Sequence, residues 1–367
     1  MKRLKICIIS EEANPYFKGK GGGGAELQMT MLAKILSKRG HKLSFITFGK
    51  TDNFYEKIED IDLYNPYYNK KSGYTHLSPL NLIRYFKILK KIDADVYLQR
   101  AGPVSTLILG FTKKLFIFSV SDNATVSSHL KINKIKDLQY IFNILNLKLA
   151  DCVCCQTEHQ KKMLSENLPT KEGKVIKNIY IPSIHSDLNK EKQILWVGRI
   201  IKSKSPEIFI ELAKKLPNYT FKMIGDLSFG NEDYYNQISQ EAKKVENLEF
   251  VGPVPREEID KYYAESYVLV STSTREGFPN IFLESWANKT PVISLKFDPD
   301  NIITRFNLGR CSKDFEELIE NTRNIMENDD LRKKLGSNGF NYVKNEHNQD
   351  KIVQEYEKLF YKLIRDK

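Results

Sequence analysis

The stretch Glu276-Gly-Phe-Pro-Asn-Ile-Phe-Leu-Glu284 sets two carboxylates, seven residues between them, on either side of a Gly-Phe-Pro turn. "YVLVST" before it reads as a strand and "STREG" as its loop. Pro279 reads as the first helical residue, where its missing N–H costs nothing. Glu276 then lies on the loop and Glu284 about a turn and a half into the helix. The helix start presents N–H groups to an anion, while the two acids accept hydrogen bonds from hydroxyls on either side of it. Upstream, "ILWVGRIIKSKSPE" ends a strand at Val197 and offers Arg199 and Lys204 before a helix that opens near Pro206. A guanidinium, an ammonium and free helix amides converging on one region can hold a diphosphate without a metal. A nucleotide sugar has the matching pattern: sugar hydroxyls, a diphosphate, ribose hydroxyls. A capping acid, a solvated helix glutamate and two surface cations would place the same residue types there.

Near the N-terminus, "GKGGGGAELQ" joins a loop to a helix beginning at about Ala25, and Gly19, Gly21 and Gly24 spell G-x-G-x-x-G. The dinucleotide fingerprint follows its strand at once, whereas eight residues intervene here between Ser10 and Gly19, and no acid ends the second strand at "ITFG". The run, with Gly23 and Gly24, reads instead as a side-chain-free wall that lets backbone amides approach a phosphate or sugar. Two D-x-D sequences, Asp298-Pro-Asp300 and Asp93-Ala-Asp95, spell an acidic metal-binding loop. Neither stands in a favourable place, because the second immediately precedes a strand whose caps are often acidic.

The elements that must position these residues are legible as short apolar runs alternating with amphipathic helical stretches. "LKICII", a helix over 25–39, "LSFITF", "DVYLQ", "KLFIFSV" and "CVCCQT" form one series. "ILWVGR", a helix over 206–215, "TFKMIG", a helix over 234–245, "LEFVG", "YVLVST" and "PVISL" form another. That rhythm is the βαβ signature of a parallel sheet with helices on both faces. The expected fold class is α/β, with two Rossmann-like, doubly wound domains facing across a cleft. The join is expected near "IPSIHSDLNKEK", residues 181–192, which is polar and aperiodic. Domains are therefore expected over 1–185 and 186–347, with a last helix over 348–367 that shows Ile352, Tyr356, Leu359, Phe360 and Leu363 along one face.

With 367 residues, two ordinary domains can each bury a core. Apolar runs never reach the 18 or so residues of a membrane span, and "MKRLKICIISEE" is too short in its apolar part for a secretion signal, so a cytoplasmic location is expected. Five cysteines without framework spacing suit a reducing compartment, and Cys152, Cys154 and Cys155 read as strand packing. Charge is lopsided: residues 1–185 hold 29 Lys and Arg against 16 Asp and Glu, the remainder 28 against 30. The +13 half either meets something anionic or uses lysine for solubility. "NLIRYFKILKKI", residues 81–92, interleaves Leu82, Ile83, Phe86 and Leu89 with Arg84, Lys87 and Lys91. Core packing is the favoured reading of that helix, and an interfacial helix on anionic lipid is the other. No basic helix with interleaved aromatics points to nucleic acid.

Taken together, "GGAE" at 23–26, "RGH" at 39–41, "AD…CQTEHQ" at 150–160, "VGR" with Lys204, "FVGPVPREEIDKYYAES" at 250–266 and E-x7-E followed by "TPVIS" resemble the retaining GT-B glycosyltransferases of family 4, over nearly the whole chain. The resemblance implies a nucleoside diphosphate sugar donor, UDP- or GDP-linked, held mainly by the C-terminal domain as co-substrate, with no resident cofactor or metal. The acceptor would be held by the N-terminal domain, and the closing helix would cross back onto that domain. Arg199 and Lys204 would meet the diphosphate, Glu276 the donor sugar and Glu284 the ribose. The full set of expected donor contacts is Gly23, Gly24, Arg199, Lys204, Gly225, Val254, Glu276, Gly277, Phe278, Pro279, Asn280, Ile281 and Glu284. Many relatives carry a His after the fifth N-terminal strand, where this chain has "SVSDNAT". Asp122 is therefore the candidate beside the reacting centre, as base or acceptor-orienting group, and Arg100, closing "DVYLQR", is the second acceptor-side candidate. Two further departures are Lys289 before "TPV" and Ser205 after Lys204, both usually Gly. The expected reaction is transfer of a hexose to a hydroxyl of a glycan or lipid-linked glycan, in surface polysaccharide assembly, with peripheral contact at an anionic membrane. A nucleotide-sugar epimerase of the same architecture and a noncatalytic nucleotide-binding protein are the alternatives.

Overall fold

The computed structural model describes residues 2–10, 13–17, 23–48, 53–66, 79–100, 114–127, 138–181, 190–228 and 230–367. Gly19 and Gly21, and most of the expected join, lie outside them. The chain divides into two compact units, residues 1–179 with 349–367, and residues 180–348.

In the first unit the apolar runs form β1 (Lys5–Ser10), β2 (Lys42–Ile46), β5 (Val96–Arg100), β6 (Leu115–Ser119), β7 (Cys152–Cys155) and β8 (Gly173–Val175). A hairpin, β3 (Tyr55–Ile58) and β4 (Ile61–Tyr64), joins at the edge, giving the order β3-β4-β2-β1-β5-β6-β7-β8. Every neighbouring pair is parallel except β3 with β4. Side chains alternate across a strand, so β1 sends Ile6 and Ile8 to one core and Cys7 and Ile9 to the other. Both faces are covered, which is why these strands read as near-continuous apolar runs. One face receives Leu32 and Leu36 from the helix Gly24–Lys38 and Val353 and Phe360 from the helix Gln349–Asp366; the other receives Tyr85, Ile88 and Leu89 from the helix Pro79–Ile92. Cys152, Cys154 and Cys155 are buried free thiols.

The closing helix is fastened by the "RGH" residues. His41 Nδ1 accepts from Leu4 N at 3.2 Å, which leaves Nε2 to donate to Glu357 Oε1 at 3.0 Å. Arg39 reaches the other Glu357 oxygen at 3.1 Å and Asp350 at 3.3 Å.

The second unit is a wholly parallel sheet of β9 (Glu191–Arg199), β10 (Thr220–Asp226), β11 (Leu248–Gly252), β12 (Ser266–Ser271), β13 (Val292–Leu295) and β14 (Gly309–Ser312), in the order β11-β10-β9-β12-β13-β14. Numbered within the unit that is 3-2-1-4-5-6, the doubly wound Rossmann order, whose direction reverses between β9 and β12. Lys190, just before β9, fastens the start of β12 by donating to Ala264 O and Ser266 O, both at 3.0 Å, and to Thr290 Oγ1 at 2.6 Å. Gly225 lies next to the end of β10, where an added Cβ would strike the Ile200 side chain, so that glycine answers to packing as well as to any ligand.

Candidate active site

The reversal of strand order is where a doubly wound sheet opens a crevice beyond its strand ends. The two loops that leave it here are those of Arg199–Ser205, after β9, and Thr272–Pro279, after β12. They are stitched together. Trp196 Nε1 donates to Thr272 Oγ1 at 3.0 Å, Thr272 Oγ1 donates to Lys204 O at 2.7 Å, and Thr274 N donates to Ser203 O at 2.9 Å. The result is a direct ion pair between Lys204 Nζ and Glu276 Oε1, with side chains only 19% and 13% exposed. Two residues 72 positions apart thus meet because strands distant in sequence are adjacent in the sheet.

Arg199 closes β9 and is exposed. It makes no side-chain hydrogen bond or ion pair among the described residues, so its guanidinium faces solvent beside the pair without joining it. Lys204 belongs to a single 3-10 turn, Lys202–Lys204, and Ser205 follows in the left-handed region at φ 46° before the helix Pro206–Lys215. This is the position where a glycine is usual, and the backbone supplies the reason, since left-handed φ burdens any residue with a Cβ. Lys289, the other departure, has φ 54° just beyond the C-cap of the helix Asn280–Ala287, again a position that favours glycine.

Pro279 caps that helix rather than opening it, and Gly277, Phe278 and Pro279 are buried. Phe278 anchors the loop by stacking on the buried His347 ring, 5.1 Å between centroids. Asn280 and Ile281 form the first turn and are half-buried. Glu284 is buried, and both of its oxygens are engaged. Tyr263 OH donates to Oε2 at 2.8 Å, and Arg256 Nη1 lies 2.8 Å from Oε1. Val254, half-buried, lies just before the helix Arg256–Glu265 that carries both partners. Lys204 and Glu276 therefore form one group and Glu284, Arg256 and Tyr263 a second.

In the first unit, Gly23 caps the helix Gly24–Lys38, and its carbonyl accepts from Tyr16 OH at 2.9 Å. A Cβ there would collide with the Glu26 carboxylate. Gly24, exposed, opens the helix. Asp122 caps the 3-10 turn Asn123–Val126, its Oδ1 accepting from Thr125 N at 3.1 Å. Arg100 is buried at the end of β5, level with Ser10 of β1 and Ser119 of β6. Its Nη2 donates to Asn178 Oδ1 at 3.4 Å, its Nε has no hydrogen-bond partner, and burial lowers its pKa. Three of the four D-x-D acids serve the backbone or a cation: Asp298 accepts from Ile303 N and Thr304 N, Asp95 from Lys5 N, and Asp93 pairs with Lys114.

Arg256, Tyr263, Thr272 and His347 had no site role in the sequence reading. The available signal was the seven-residue spacing of Arg256 and Tyr263, two helical turns on one face, inside a segment already noted as a motif.

Residues 181–342, somewhat under half of the chain, match the family model described as Glycosyl transferases group 1. An uncharacterised glycosyltransferase of Haemophilus influenzae is 24% identical over 91% of this chain and 95% of its own length. The amylovoran biosynthesis glycosyltransferase AmsD of Erwinia amylovora is 23% identical over 77% of this chain and 80% of its own. Among solved structures, sucrose-phosphate synthase from Thermosynechococcus elongatus superposes with a TM-score of 0.83, at 17% identity and 99% of both chains. Anabaena HepE in complex with UDP-glucose gives 0.76, at 16% identity over 98% of this chain and all of that one. Nothing in these matches supports the epimerase alternative. The fold is that of the GT-B glycosyltransferases, and residues 181–342 carry the pattern of the glycosyl transferases group 1.

Proposed function

We propose that the protein is a retaining, metal-independent hexosyltransferase of family 4 that moves a sugar from a UDP- or GDP-linked donor to a hydroxyl of a glycan or lipid-linked glycan during surface polysaccharide assembly. The observation that carries this is the Lys204–Glu276 pair at the strand-order reversal of the second sheet. Relatives named for polysaccharide synthesis, and a structural neighbour bound to UDP-glucose, support the substrate classes.

The demanding step is departure of the nucleoside diphosphate, and fixed positive charge where the negative charge develops lowers its barrier most. Lys204 and Arg199 supply that charge, and the amides opening the helix Pro206–Lys215 add to it. Glu276 accepts from donor-sugar hydroxyls once the diphosphate has taken over Lys204. Glu284 accepts from the ribose. A double displacement wants two carboxyls roughly 5 Å apart flanking the bond, whereas these two are assigned to opposite ends of the donor. Front-face attack assisted by the donor's own phosphate fits that division and retains the anomeric configuration. Arg100 and Asp122 are proposed on the acceptor side, with Asp122 acting through the carboxylate oxygen its cap leaves over.

A membrane-associated acceptor is supported by the helix Pro79–Ile92. It buries Tyr85, Ile88 and Leu89, yet leaves Ile83 and Phe86 half exposed beside Lys87 and Lys90. The buried residues account for core packing, and the exposed pair beside the lysines supports the interfacial reading. No helix among the described residues is long and apolar enough to cross a membrane.

Thermal stabilisation by a panel of nucleotide sugars identifies the donor, and proton NMR of the transfer product reads its anomeric configuration. An inverted product would overturn retention, and loss of transfer in chelator would overturn metal independence. Failure to sediment with anionic vesicles at low salt would remove the membrane contact.

A further inference from the structure

Glu284 is set apart by its surroundings. It is 4% exposed, and burying a carboxylate is costly unless it is paired and hydrogen-bonded. Arg256 and Tyr263 do both, from positions two turns apart on a single helix. Burial and the neighbouring carboxylate push the Tyr263 phenol well above its ordinary pKa, so it is a permanent donor. A carboxylate has about four acceptor positions, and these partners occupy one on each oxygen. That leaves an acceptor position on each oxygen, enough in number for two vicinal hydroxyls of a pentose. Asn288 Nδ2 donates to the Glu284 carbonyl at 2.9 Å and fixes the backbone beneath.

We propose that Arg256 and Tyr263 are positioning residues that hold the Glu284 carboxylate in a single rotamer, so that recognition of ribose hydroxyls, and rejection of nucleotides lacking them, belongs to the three residues as a unit. This rests on the donor reading given above. A buried acid merely neutralised for stability would have the same contacts, but removing a partner would then have no bearing on which pentose is bound.

The test is calorimetric titration of the whole chain with UDP and GDP, and with the 2′,3′-dideoxy form of whichever binds. The native protein is expected to favour the ribonucleotide by about tenfold or more, in the range of one or two hydrogen bonds to a charged group. Tyr263→Phe and Arg256→Ala should bring that ratio toward one while leaving affinity for the dideoxy nucleotide nearly unchanged, and Arg256→Lys should restore part of it. Equal weakening of both nucleotides, or an unchanged ratio, overturns the proposal. Should Arg256→Ala not fold, Tyr263→Phe carries the test alone, since it removes one oxygen and conserves shape. If neither UDP nor GDP binds the native chain, the donor reading falls and takes this proposal with it. Tight binding with no preference between the pentoses sinks the proposal only.

Discussion

Glu276 and Glu284 sit at the two ends of one motif, and their surroundings are opposite in kind. Glu276 lies on a loop and has a cation that a diphosphate would also attract. Glu284 lies inside a helix and has two partners from a neighbouring helix, an arginine and a tyrosine. One acid is tied by an exchangeable counter-ion and the other by permanent fittings. The lesson is that equal residues at a fixed spacing can serve one reaction through unequal means, a reagent that must be released and a frame that must not move.

That contrast can be broken or sharpened experimentally. The largest effect is expected for Lys204→Ala, which should lower turnover by about 10²–10³ and change stability by less than about 1 kcal/mol, as for a partly exposed pair. Near-normal transfer by this variant would remove the exchangeable cation from the chemistry. Glu284→Gln should next lower unfolding stability in urea by about 1–3 kcal/mol, because Arg256 and Tyr263 lose hydrogen bonds to a charged, buried acceptor. Glu276→Gln should cost much less stability, and equal losses would erase the distinction. Glu276→Gln should also slow transfer by roughly tenfold or more while binding UDP or GDP at least as tightly as the native chain, since Lys204 is released; weaker nucleotide binding would contradict exchange. The smallest effects belong to Ser205→Gly and Lys289→Gly. Relief of left-handed strain, about 1–2 kcal/mol, outweighs the added freedom of the unfolded chain, about 0.4–1 kcal/mol, for a net gain of about 0.5–1 kcal/mol in melting experiments. Ser205→Gly should leave turnover intact if the loop is already held in its working shape.

The fold was readable because parallel strands buried on both faces leave unbroken apolar runs such as "KICII" and "YVLVS", and amphipathic helices leave their own period between them. Three helix positions read from that period fall within a few residues of the observed Gly24–Lys38, Pro206–Lys215 and Glu232–Ala242. The hairpin of β3 and β4 escaped because its strands are four residues each and half polar, "YEKI" and "IDLY". The helices Phe315–Glu327 and Asp329–Glu346 have caps in Asp314 and Asn328 that could have been noticed. Within the candidate site, residue types and loop positions were legible, but pairing was not. That Lys204 meets Glu276 depends on β9 and β12 being neighbours, and that Arg256 meets Glu284 depends on two helices packing together, neither of which is a local property. The two non-glycine substitutions were visible as departures, but their left-handed backbone was not.

The helix Gln349–Asp366 carries a consequence for biosynthesis. It is translated after the whole of the second unit, yet its Val353, Tyr356 and Phe360 complete the core over the sheet formed by the first 179 residues. On the ribosome, the usual N-terminal-first order of domain maturation cannot hold for this chain. The intervening unit can finish while the earlier one still shows an unsealed apolar strip, and that nascent strip is where chaperone capture, or mispairing with another copy, would begin.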